Sequence, residues 1–585
     1  MVVSAWKDEV GVLKEKVRKM LTTPPPGEDN ILEKLSLIDA VLRLGIGYHF
    51  QKEIEDALLQ IHQMDEYHGG EDISTIALGF RLLRQRGYNV SSGGATGSVG
   101  QWNVGTRGNK EQHLSQISRF STAQDDRRAD MSNNLVIQSD KLDKPGDTTR
   151  IGPVCIGDGP NVAGTTRGSV DLPQDWVMET RGLLNLYEAS YLSVHGEEIL
   201  DDALEFTKKH LKCFLVNDDL PTPVGEQVNR ALQRPVERNV EKFEQLKYIS
   251  IYEKLDAHNE VVLKLAKLDF NIVQSMYQQE MRSLTEWWVD LDFATKVPPF
   301  FRDRLIDCFF WALGTFPEPE LSMSRIIISK FGQCFSVIDD MYDVYGRIDE
   351  LELFTEAIER WDGSIEHLPD YMKVVFHLLM ELLKQLEEET TKEGRPYCIQ
   401  YVKEAVKRQI RAYITEARWF NQGYVPKFEE HRAVTGVSTC LYMLAYQTVS
   451  MMPEATKEVY DWLVADPKIL VASADHARLW DDIASHEFEQ KRGSVASTVE
   501  CYMKEYGVSK EEAHDVIKKL IKDDWKYMNK GFMKEVDIPK KILRIFLGYA
   551  RVMDVLYGDF FDGYNYADTT TKEMMEALLV NPIPV

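Results

Sequence analysis

Basic charge is scarce in this 585-residue chain: 69 Lys and Arg face 93 Asp and Glu, for a formal net charge of −24. That excludes general nucleic-acid binding, since no basic stripe is left to displace phosphate counterions. An anionic ligand must instead be held by a few locally gathered Arg and Lys or by metal ions. Cysteine is scarce too. The seven cysteines stand singly, with no CxxC pair and no zinc-ligand spacing, which argues against a disulfide framework and predicts free, mostly packed thiols in a reducing compartment. No uninterrupted apolar run reaches membrane-spanning length, so no membrane insertion is expected. The opening MVVSAWKDEVGVLKEKVRKML mixes acids with bases at helical periodicity, unlike a signal or transit peptide, and a cytoplasmic location is expected.

Strand-like alternation is almost absent, and what remains is helix. Residues 30–62 carry apolar positions at Leu32, Leu35, Ile38, Val41 and Leu42, with a break at GIG. From Val261 to Trp288 an i, i+3, i+4 apolar spacing runs unbroken. Residues 321–345, 367–390, 397–420, 434–452, 468–490, 509–530 and 540–557 follow the same rule. With 44% hydrophobic and 28% charged residues, the chain can bury the cores of two domains. A boundary is expected around 250–262, dividing it into 1–260 and 261–585. Residues 93–180 are glycine-rich and lack apolar periodicity, which predicts a long irregular insertion. The GDGPNVAG within it fits neither phosphate-loop spacing.

Three constellations carry chemistry. In FSVIDDMYDVYG, Asp339, Asp340 and Asp343 stand in an apolar and aromatic run, where burial costs several kcal/mol per carboxylate unless compensated. Asp339 and Asp343 lie one helical turn apart and offer hard oxygen ligands of the kind Mg²⁺ takes. In LWDDIASHEFEQKRG, Asp481, Ser485 and Glu489 fall at i, i+4, i+8, again an oxygen-only set suited to magnesium or manganese. In PPFFRDRLIDCFFWALG, Arg302 and Arg304 precede an aromatic helix, and guanidinium groups bind diphosphate bidentately. Arg478 and Lys491, beside the second acidic set, are further candidates. Each motif alone has a bland alternative: a solvated acidic edge, a polar helix face, a surface triplet. Their combination is the signal.

Together these motifs resemble those of the plant class I terpene synthases, most similarly the sesquiterpene synthases. DDMYD at 339–343 matches the family's aspartate-rich motif, DDIASHEFE at 481–489 its second metal motif, and RDR at 302–304 its arginine element. The likeness covers residues 30–92 and 181–585. It implies an all-α, two-domain architecture: an N-terminal relic α-barrel and a C-terminal class I α-helical bundle that holds the site. It further implies that Asp339, Asp340 and Asp343 face Asp481, Ser485 and Glu489 across the cavity and together bind three Mg²⁺, with Mn²⁺ as a substitute. Arg302, Arg304 and Arg478 would take the diphosphate, assisted by Lys491 and Tyr564. Trp311 would lie at the cavity floor, Tyr557 and Asp562 near a closing loop, and GVSTC at 436–440 at a helix kink.

The resemblance implies a monomeric carbon–oxygen lyase acting on farnesyl diphosphate. Metal and arginine would stabilise the departing diphosphate, while an aromatic, water-free cavity guards the carbocation. The RRx8W element usual at the family's N-terminus is missing, and the 93–180 segment is foreign to the family. Three alternatives stay open: a synthase using geranyl diphosphate, a chain-elongating prenyltransferase (which would carry a second DDxxD), and a homologue reduced to a binding or structural protein by the insertion. No DxDD motif supports protonation-initiated cyclisation.

Overall fold

The apolar spacing of Leu35, Ile38 and Val41 becomes the buried face of the helix Ile31–Arg43. The GIG break becomes a tight turn in which Gly45 adopts φ +69°, after which the chain re-enters helix at Gly47–Phe50 and Gln51–Gln63. This is a computed structural model, and it describes residues 2–23, 31–63, 73–92, 174–216, 222–299, 301–492, 496–533, 537–558, 562–563 and 569–585. Among them every regular element is a helix. The insertion expected at 93–180 falls outside the described residues up to 173. Residues 174–180 are helical, as the start of Gln174–Ser190. Glycine-rich composition stops at Val170, and the following QDWVMETRGLL already carries the apolar spacing of the packed helix.

The N-terminal helices Val2–Thr22, Ile31–Arg43, Gln51–Gln63 and Ile73–Gln85 enclose one apolar core. Gln174–Ser190, Glu198–Val216 and Thr222–Gln233 share a smaller one around Leu183, Tyr187, Leu211 and Val228. The largest core belongs to the helices after residue 260. One helix serves two of these cores. Glu260–Asp290 is started by Asn259, whose side chain accepts from the Val261 and Val262 amides at 3.0 and 3.2 Å, a cap worth about 1 kcal/mol. Its first turns bury Val262, Leu265 and Leu268 in the N-terminal core. Phe270, Val273, Tyr277 and Leu284, further along, enter the C-terminal one.

Three details of the C-terminal bundle position the site. Leu305–Thr315 lies against Lys540–Tyr557 because glycines sit where they meet: a Cβ on Gly314 would stand 2.6 Å from Val552, and one on Gly548 2.9 Å from Thr315. The helix Ser322–Asp340 does not run on to 345 as an α-helix. It widens into a π turn over Met341–Tyr345, closed by the Gly346 amide donating to the Met341 carbonyl at 2.7 Å. The helix expected at 434–452 is broken into Phe428–Ser438 and Leu441–Ser450, with Cys440 at φ +66° between them. The hydroxyls of Thr435, Ser438 and Thr439 donate to carbonyls at His431, Thr435 and Gly436, competing with the helical ladder where it ends.

Six described cysteines are free: Cys213 is exposed, Cys440 half-buried and the rest buried. No helix among the described residues is long and apolar enough to cross a membrane.

Candidate active site

A cavity of about 260 Å³ opens within the C-terminal bundle. Asp339 and Asp343, from the Ser322–Asp340 helix and its π turn, line one side; Asp481 and Ser485, from Lys468–Arg492, line another. Both acidic edges therefore open on one hollow. Their carboxylates are held well above the usual carboxylate range. Burial, reinforced by Asp343 and Asp340, pushes Asp339 up to about 8. Burial also lifts Asp481 to about 7; Arg478 opposes this, while Asp562, Asp482 and Asp339 add to it. Carboxylates so crowded fit a bound divalent cation, which would replace repulsion with attraction. Among the described residues no three acids, histidines or cysteines form a ready-made metal shell. Magnesium does not require one, because it retains water and takes oxygens from the substrate's phosphates.

Asp340 does not open on the cavity. Its Oδ1 accepts from Arg302 Nε and Nη2 at 2.9 and 2.6 Å, and its Oδ2 from the Arg302 amide at 3.2 Å. Asp343 stands on the cavity wall beside Asp339, whereas Asp340, 2% exposed, turns to the arginine. Arg302 lines the hollow, but Arg304 does not: its amide donates to Gln333 Oε1 at 2.7 Å, and its guanidinium lies 3.7 Å from Asp307. Arg478 lines the wall, held at 3.1 Å by Asp481 and at 3.3 Å by Asp482, and it donates to the Thr435 carbonyl freed at the helix break. Gln409 takes the Ser438 carbonyl at 3.0 Å, so protein donors occupy part of the kink's exposed backbone.

Trp311 and Tyr557 both line the cavity. Asp562 is buried and close enough to Asp481 to raise its pKa. Glu489 continues the Lys468–Arg492 helix, but its side chain, like that of Lys491, lies outside the described residues, as does Tyr564.

Two cavity residues escaped the motifs. Glu416, from Cys398–Gln422, has a buried Oε1 without a hydrogen-bond partner, and burial lifts it to about 7 against the pull of Arg478. Its signal was present in AYITEARWF, a lone acid in an apolar and aromatic run, the same signature that marked the aspartates. His431 is 2% exposed, and its Nε2 lies 2.9 Å from the Ala496 carbonyl. No spacing rule links it to the site.

The family profile described as "Terpene synthase family, metal binding domain" matches residues 289–527, and "Terpene synthase, N-terminal domain" matches 2–94 and 167–232. The chain belongs to the terpene synthase family. It is 44% identical to "Probable terpene synthase 3" of Ricinus communis over 100% of this chain and 93% of that one. It is also 39% identical to "(-)-germacrene D synthase" of Vitis vinifera over 99% and 91%. Among solved structures, isoprene synthase from grey poplar aligns with a TM-score of 0.79 at 30% identity, covering 99% of this chain and 96% of that one. Limonene synthase aligns with a TM-score of 0.80 at 27% identity, covering 100% and 95%. The all-α, two-domain terpene synthase architecture is thereby established, as is membership of a lyase family with metal-dependent chemistry on prenyl diphosphates. The profile's two N-terminal stretches flank residues 95–166.

Proposed function

We propose that the protein is a Mg²⁺-dependent sesquiterpene synthase that ionises farnesyl diphosphate and cyclises the C15 cation, releasing diphosphate. One observation carries this reading: Asp339 and Asp481 face a common cavity with Arg302 and Arg478 at its wall and Trp311, Phe335 and Leu444 among its apolar lining. Asp339, Asp343, Asp481 and Ser485, with Glu489 one turn on, would hold the three metal ions, and Mn²⁺ would fit the same oxygen set. The metal would supply positive charge to the leaving diphosphate. Arg302 adds a guanidinium fixed in place by Asp340, and Arg478 adds a second. Trp311 and Tyr557 present aromatic faces to the cation without a strong nucleophile. Asp562, near enough to Asp481 to raise it, would take a proton step. Lys491 and Tyr564, whose side chains lie outside the described residues, complete the proposed diphosphate set.

The same proposal takes 1–260 as scaffold and 261–585 as the catalytic unit, working as a cytoplasmic monomer. Relatives named sesquiterpene synthase, germacrene D synthase and valencene synthase favour the C15 substrate over geranyl diphosphate. The N-terminal core argues against a crippled homologue. Val90, before the insertion, and Ala189 and Leu200, after it, are buried together in one cluster.

The test is to incubate the purified chain with C10, C15 and C20 diphosphates and identify volatile hydrocarbons by mass spectrometry, with and without chelator. A cyclic C15 product that vanishes with EDTA is expected. Bare hydrolysis, or turnover indifferent to chelation, would sink the assignment.

A further inference from the structure

A second cavity, of about 150 Å³, lies where the N-terminal helices meet the C-terminal bundle, and no part of the catalytic site reaches it. Its walls are unusually charged for an interior, and most of that charge is paired. Arg43 meets Glu244 at 2.8 Å, Arg551 meets Glu237 at 3.0 Å, and Arg84 donates to Glu197 at 2.6 Å. Four cations are left incompletely matched. The guanidiniums of Arg86 and Arg544 have no hydrogen bond or ion pair with any described residue, and they stand close enough to repel each other. Arg81 is 1% exposed; its Nη2 donates to Asp39 at 2.7 Å, but its buried Nε and Nη1 bond to nothing among the described residues. Lys242, 3% exposed, reaches only the Gln245 amide oxygen, at 2.8 Å.

Two acids on the wall bear on the balance. Glu241 is largely exposed and lies 3.6 Å from Arg551. Glu318 makes no hydrogen bond or close ion pair with a guanidinium among the described residues, although Arg544 pulls on it from a distance. Burial, then Glu241, pushes it up to about 7, so near neutrality it is partly protonated and able to donate a hydrogen bond. Buried donors without acceptors are costly, and unpaired interior cations more so. A water molecule can satisfy a donor, but it leaves the excess positive charge where it is. A compact anion offering several oxygens answers both deficits, and guanidinium forks suit its geometry.

We propose that this interdomain cavity binds a small phosphate-class oxyanion, held by Arg81, Arg86, Lys242 and Arg544, and that the ion clamps the N-terminal helices to the catalytic bundle. Free inorganic phosphate and the diphosphate released by turnover share the required chemistry. The proposal does not depend on which prenyl diphosphate is the substrate.

The test is calorimetric titration of the full chain with sodium phosphate, and separately with sodium diphosphate, in EDTA at fixed ionic strength. Removing metal takes from the catalytic cavity the positive charge that would hold an anion there. One site per chain is expected in the wild type and equally in D339N/D481N, weakened at least tenfold in R86Q/R544Q; the tighter ligand names the source. A melting temperature that rises with phosphate, compared with chloride at matched ionic strength, reads the same site in the unmutated protein. No heat and no thermal shift in the wild type would overturn the proposal. Binding that D339N/D481N abolishes while R86Q/R544Q retains it would overturn it as well, by placing the anion in the catalytic hollow.

Discussion

The catalytic cavity and the layer between the domains both bury carboxylates, yet they treat them oppositely. Between the domains nearly every acid has its guanidinium: Glu244 has Arg43 and Arg230, Glu197 has Arg84, Glu237 has Arg551, Asp39 has Arg81. In the catalytic cavity Asp339, Asp481 and Glu416 outnumber the cations that reach them, and all three are driven toward neutrality by burial. Asp340 is the exception that clarifies the rule, since its bond to Arg302 removes it from the hollow. Most carboxylates that hold the fold together are matched within the chain. Charge reserved for chemistry is left for a ligand to match.

The largest effect that tests this contrast comes from D339N/D481N. Both edges lose a metal ligand, and turnover of a prenyl diphosphate with Mg²⁺ is expected to fall by about 10⁴-fold or more, over 5 kcal/mol in the barrier, while the melting temperature holds or rises. A variant that melted lower and kept its turnover would break the comparison. Next in size is Arg84→Gln, which strands the buried Glu197 carboxylate and should cost about 3–5 kcal/mol of stability in a denaturant titration, leaving per-molecule activity intact at low temperature.

A subtler case is Glu188, buried near Arg81 and Arg43 yet raised to about 7 by burial despite their pull, and accepting from the Val236 amide at 2.9 Å. Its folded pKa exceeds its ordinary value of 4.5, so the folded state holds the extra proton between the two. Stability from this group is complete below about 4.5 and drains away as pH rises through 7. Glu188→Gln should flatten that decline, worth up to about 3 kcal/mol between pH 5 and 8, when melting is followed against pH. An unchanged slope would mean that the paired layer tolerates the charge after all.

Much of this was legible in the chain itself. Glu260–Asp290, Asp370–Lys392, Cys398–Gln422 and Lys540–Tyr557 start and stop within a few residues of their apolar periodicity, because long amphipathic helices announce their buried face. DDMYD and DDIASHEFE were visible because acids in apolar surroundings demand an explanation. The π turn after Asp340 was not legible, since one widened turn leaves the spacing of apolar residues almost untouched. The break at Ser438–Leu441 leaves no mark on the apolar periodicity, and only the resemblance put a kink at GVSTC, where three hydroxyl side chains compete with the ladder. Glu416 and His431 join the cavity through tertiary packing alone, and a linear pattern has no means of pointing across helices. The Arg304 side chain was misplaced by the RxR symmetry: its fellow faces the hollow, whereas Arg304 settles near Asp307, one turn onward.

Glu260–Asp290 is a beam shared by two rooms. Its early residues wall one apolar interior and its later ones the other, without a joint between them. Neither half of the molecule can be excised whole, because any cut leaves one room open to water. Heat or denaturant should therefore bring both halves down together, and a protease that nicks this rod should yield no durable fragment.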